Sequence, residues 1–220
     1  MQSTVAMPSK RTAKANIRKT FHAATEGERS RGLSWYLDAH RFAQKVAKAN
    51  NLPLEQVVGV IAVTSPQLRW EDNMAFAARL CAGEKKRITG LLFRSQVNAG
   101  RILAGTPIEK VTGGRKSKAF YDNILDPEGS KSVTIDRHAV QLAVGKKLSS
   151  DTVAKMVATA KRYESFAQAY REVAQELNLL PSALQAITWT HWTVTQARSV
   201  SKTIRQLRGM LQEEEEGIFV

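Results

Sequence analysis

The chain has a single cysteine, Cys81. No disulfide can close within one copy, and no cysteine-ligated zinc or iron–sulfur site can assemble. Long apolar runs are missing: nothing approaches the roughly 18 consecutive apolar residues of a membrane span. The N-terminus has no apolar signal-peptide core, so a cytoplasmic protein is expected. Segments alternating apolar and polar with period two are scarce, which argues against a β-rich fold. Acids are short as well, with 20 Asp+Glu against 33 Lys+Arg and a net charge of +13. The isoelectric point is near 10.1. Such a balance implies a polyanionic partner, and without a membrane segment that partner is expected to be nucleic acid. His22, His40, His138 and His191 share no ligand spacing, and there is neither a P-loop nor a dinucleotide fingerprint. No metal and no cofactor are therefore expected.

What is present is helix-forming material. Ala, Leu, Lys, Arg, Gln and Glu dominate, and 43% of the 220 residues are apolar. That length and composition suit one all-α domain with a helical extension. Lys10, Arg11, Lys14, Arg18 and Lys19 stand in an acid-free segment read as a basic arm or a loosely attached helix. Helices are predicted over Ser34–Lys48, from Leu54 to near Ser65-Pro66, over Glu71–Cys81 and over Ile88–Leu103. Leu54, Val57, Val58 and Ile61 form an amphipathic stripe. Ala104–Pro107 and Gly113-Gly114 read as turns around a short apolar piece, Ile108–Val111. A helix is predicted over Lys116–Leu125 and another from Asp136 to about Val144, after a brief extended segment, Ser132–Ile135. Val153, Met156, Val157 and Ala160 form one stripe, and Tyr163, Phe166, Tyr170, Val173 and Leu177 another, read as core. A long helix follows Pro181 and is expected to run to Gln212, before an acidic tail that includes Glu213–Glu216.

Three segments together resemble the helix-hairpin-helix DNA glycosylases, the endonuclease III superfamily. Val60-Ile61-Ala62-Val63-Thr64-Ser65-Pro66-Gln67, followed by Trp70 and Asn73, is similar to that family's "LSxQ" helix end. Val111-Thr112-Gly113-Gly114-Arg115-Lys116-Ser117 looks like a degenerate form of its glycine hairpin. Val133-Thr134-Ile135-Asp136-Arg137-His138-Ala139-Val140 is similar to the Val-Asp-x-His segment that holds its catalytic aspartate. The resemblance covers about residues 33–145 and looks closest to small divergent members from phages and mobile elements. The four-cysteine cluster loop of the family is absent. Charge marks a basic arm or helix over residues 1–30 and an acidic tail over 213–220, and between them the resemblance implies a glycosylase-like helical domain with long C-terminal helices over 31–212.

The resemblance also implies roles. Asp136 would be the catalytic carboxylate, because breaking an N-glycosidic bond builds positive charge on the sugar. Its plain structural role is an N-cap, and the two are compatible. Lys116 would be the amine that attacks C1′ in strand-cleaving members, with Lys118 equally placed by its separation from the aspartate. Gly113, Gly114 and Arg115 would meet the DNA backbone, within a stretch, Glu84–Lys118, holding nine basic residues and two acids. Gln67 would fill the space left by an extruded base. Arg137 and His138 flank the site and are expected to contact DNA, His138 being read as a structural hydrogen-bonding residue rather than a base. Trp70, Trp189 and Trp192 read as core, with base stacking as the sharper alternative for Trp189, His191 and Trp192. The expected activity is a DNA N-glycosylase with optional abasic-site lyase action. It would act as a monomer on double-stranded DNA with a flipped base. The alternatives are a phage thymine-hypermodification enzyme of the same fold and a non-enzymatic DNA-binding protein.

Overall fold

A computed structural model describes residues 6–197. Among these there are eleven helices and no strand: α1 Lys10–Ala23, α2 Glu26–Asn50, α3 Leu54–Thr64, α4 Trp70–Cys81, α5 Phe93–Leu103, α6 Ile108–Val111, α7 Arg115–Leu125, α8 Arg137–Val144, α9 Ser150–Met156, α10 Ala160–Glu176 and α11 over residues 181–197. The all-α expectation holds. The end of the long helix at Gln212 and the acidic tail lie outside the described residues. None of the described helices is long and apolar enough to cross a membrane.

Two apolar cores divide the molecule into lobes. The first forms around α3, whose residues from Val57 to Thr64 are all buried. A helix apolar on every side must be surrounded, and α2, α4, α5 and α7 surround it. The second core joins Ala13 and Ile17 of α1 to α8, α9, α10 and the segment Val133–Ile135. The lobes share α11, which gives Ala186 to the first core and Leu184 to the second. α2 and α11 cross at Gly32, where an added Cβ would lie 2.4 Å from Ile187 Cα. Only a residue without a Cβ admits that approach.

The structure departs from the sequence reading at three places. The N-terminal basic segment is a docked helix, with Ile17 fully buried. Lys10 and Lys14 pair with Glu172, Lys14 and Arg18 with Glu176, and Asn16 Nδ2 donates to Ala143 O at 3.0 Å. Residue 30 lies within α2, whose start is fixed by a capping box between Thr25 and Glu28. The helix expected from Ile88 begins instead at Phe93, because Gly90 takes φ +86° and turns the chain. Ile88 and Leu91 are buried in that turn. The stripe from Val153 to Ala160 is split. α9 stops at Met156, and Thr159 caps α10 by accepting from Arg162 N.

Candidate functional site

The site lies at the seam between the lobes, where the ends of several helices converge. Asp136 precedes α8 and caps it: Oδ1 accepts from Ala139 N at 2.8 Å. Oδ2 accepts no hydrogen bond among the described residues, and Asp136 lines the cleft. The segment before it is held from behind. Tyr163 Oη accepts from Ile135 N at 3.0 Å and donates to Val133 O at 2.9 Å. Burial pushes that phenol up to about 12, so it remains a protonated donor. One tyrosine thus fixes the backbone on which the carboxylate stands.

The opposite wall is apolar. Trp35 from α2 stands 4.7 Å from Trp70, 5.7 Å from Phe120 and 6.3 Å from Trp189, measured between ring centroids. These rings and Asp136 enclose a cleft of about 610 Å³, also lined by Tyr36, Thr134 and Gln185. That volume suits a nucleotide-sized ligand, and tilted aromatic faces suit a flat one. At the rim, the turn after α3 carries Gln67 with φ +65°. Asn51 and Asn178 also take positive φ but belong to a residue type that tolerates it, whereas a glutamine there stores about 1 kcal/mol of strain. The base of this turn is anchored where Thr64 Oγ1 donates to Asn73 Oδ1 at 2.6 Å and Asn73 Nδ2 to Ile61 O at 3.1 Å.

Five of the residues singled out in the sequence come together here: Gln67, Lys116, Asp136, Arg137 and His138 all line the cleft. Gly113, Gly114 and Arg115 do not. They are exposed on the turn into α7, where Thr112 Oγ1 accepts from Gly114 N at 3.2 Å. Lys118 is also outside the cleft, held by Asp122 and 3.5 Å from Glu109. Burial pulls its ammonium down, but those two carboxylates outweigh burial and raise it. An amine held charged is a poor nucleophile, so the geometry favours Lys116 of the two. His138 is not the hydrogen-bonded structural residue expected. Its Nδ1 has no partner among the described residues. Burial favours its neutral form, as do the charges of Arg137 and Lys116, against the opposing pull of Asp136.

Residues 1–196 match a family of unknown function, DUF7178. The chain belongs to that family. No curated protein and no solved structure matches it. In this DUF7178 chain the lining residues missed from sequence are informative. Trp189 was assigned to core, yet it lines the cleft, 6.4 Å from the His138 ring. Trp70 does both, packing on the first core and lining the cleft. Trp192 packs on the second core, and His191 Nδ1 pairs with Glu28 at 2.8 Å. Trp35 and Tyr36 of α2 also line the cleft. Their spacing from Trp70 and Trp189 on other helices carries no local signal.

Proposed function

We propose that the cleft receives one everted base of DNA and that the chain is a DNA N-glycosylase built on a helix-hairpin-helix-like arrangement. The observation that carries this is the meeting of Asp136 with an aromatic cage of nucleotide size, on the seam where Lys116, Gln67 and His138 also converge. In this reading the base stacks among Trp35, Trp70 and Trp189 while its sugar rests against Asp136. The C1′–N bond breaks with its electron pair leaving on the base. The carboxylate stabilises the positive sugar and guides water to C1′. Lys116 is the amine placed to take the place of that water, forming a Schiff base that opens the strand. Gln67, held in a strained turn at the rim, occupies the space the base vacates. Gly113, Gly114 and Arg115, exposed together at the start of α7, meet the backbone phosphates.

The test is a panel of duplexes carrying single modified bases and an abasic site, with and without borohydride. Base release by the wild type that vanishes in Asp136→Asn is the expected result. Salt-sensitive binding with no release on any substrate would reject the glycosylase and leave a DNA-modifying or DNA-binding protein.

A further inference from the structure

Behind the aromatic cage a chain of buried polar groups runs from the second lobe to the cleft. Ser130 Oγ donates to Asn123 Oδ1 at 2.7 Å, and Asn123 Nδ2 donates to Thr134 Oγ1 at 3.2 Å. Tyr36 Oη lies 3.0 Å from Thr134 Oγ1 and 2.9 Å from Gln185 Oε1. The phenol has one proton, and a carbonyl oxygen can only accept. The Tyr36 proton therefore goes to Gln185, and Thr134, already accepting from Asn123, gives its own proton to Tyr36. At the far end Ser132 N can only donate, and it does so to Ser130 Oγ at 3.2 Å. Every link then points the same way, toward the cleft.

The last member is Gln185. It is only 4% exposed, yet it lines the cleft. Its oxygen is committed to Tyr36, and its amide nitrogen donates to no described residue. A donor on a largely buried side chain that lines the cleft, with no partner among the described residues, selects for a ligand that supplies an acceptor. We propose that Gln185 is the specificity-determining residue of the cleft, presenting N–H to a carbonyl oxygen of the bound base. Keto-edged bases are then taken, and bases that turn an exocyclic amine to this point are rejected. The proposal rests on the reading of the cleft as a base pocket and names the class of base it accepts. The aromatic walls hold any flat ring, so discrimination falls to a fixed polar group beside them. The role of the relay is to stop the Gln185 amide from turning over.

The experiment is a binding measurement on the full chain. Duplexes carry a central 2′-fluoroarabino nucleotide, which resists base release, opposite an abasic spacer. Its base is uracil or cytosine in one pair and hypoxanthine or adenine in the other. Affinities are read by fluorescence anisotropy at one fixed salt concentration. The keto member of each pair is expected to bind about tenfold more tightly. Gln185→Met should erase that ratio, Gln185→Glu should invert it, and Tyr36→Phe should narrow it by freeing the amide to turn. A purely structural role would weaken both members of a pair equally. Equal binding of keto and amino bases by the wild type would overturn the inference, as would a ratio unchanged in Gln185→Met. If the methionine variant does not fold, the glutamate isostere decides: an unchanged ratio overturns the inference, and an inverted one upholds it. Absent base release with the ratio intact would sink the glycosylase and leave this inference standing. The reverse pattern would sink this inference alone.

Discussion

The two lobes are built by different means. The first is built mainly on apolar contact: α3 is buried all round, and its neighbours present Ala77, Leu80, Ala99, Ile102 and Ile124 to it. The second buries tyrosines, and Tyr163 uses its hydroxyl to hold irregular backbone in place. Each lobe contributes to the cleft what its construction allows. The apolar lobe supplies rings and an amine from the start of α7. The hydrogen-bonded lobe supplies a feature that needs a fixed direction, the carboxylate of Asp136. Packing alone makes a wall, and orienting a charged group takes polar contacts from behind.

The largest expected effect separates these contributions. Asp136→Asn should lower base release at least about a hundredfold while leaving the melting temperature nearly unchanged, because asparagine caps a helix as well as aspartate does. A single-turnover assay beside a thermal melt checks both halves. Next, Lys116→Ala should abolish the borohydride-trapped adduct and Lys118→Ala should retain it. The opposite pattern would return the amine to Lys118. In stability the order turns on packing. Gly32→Val should cost about 3 kcal/mol in denaturant unfolding, since its side chain would meet the α11 backbone. Ile17→Ala should cost about 2–4 kcal/mol through the second core, and a loss below about 0.5 kcal/mol would show that α1 is an ornament of that lobe.

The smallest effect is a titration. Hydrogen bonds from Lys10 and Lys14 hold the Glu172 carboxyl down at about 2, and Lys14 likewise lowers Glu176. Groups with depressed folded values stabilise fully above the ordinary carboxylate range, and that contribution is lost as pH falls through the folded value. The docking of α1 should therefore weaken between about pH 4.5 and 2. Glu172→Gln should flatten that dependence in an acid-unfolding curve followed by circular dichroism.

How much of this was legible beforehand depends on the range of the contact. Helix α3 announces itself by the stripe Leu54, Val57, Val58 and Ile61, and the N-cap role of Asp136 by its place before an apolar run. Both are local signals. The join between Ile88 and Phe93 was misread because a periodic pattern does not show the left-handed turn that Gly90 makes. Trp189 was misassigned because helical spacing says which residues share a face, not whether that face meets a neighbour or a cleft. Gln185 left no trace: the tyrosine it binds lies 149 positions away, and that tyrosine's other partner, Thr134, lies 98 from it. The preference for Lys116 over Lys118 rests on two carboxylates, Asp122 and Glu109, that pair with Lys118 and that no local pattern assigns to it.

The crossing at Gly32 sets a condition on whatever enters the cleft. Trp35 stands three positions after Gly32, and Gln185 and Trp189 each stand two positions from Ile187 on the partner helix. The Gly32 backbone meets the Ile187 backbone and the base of its side chain there, with no side chain of its own between. The joint works as a rivet and not as a hinge. In the proposed reading, jaws riveted in this way leave the deformation to the guest, and the ease with which a base unstacks becomes part of what is recognised.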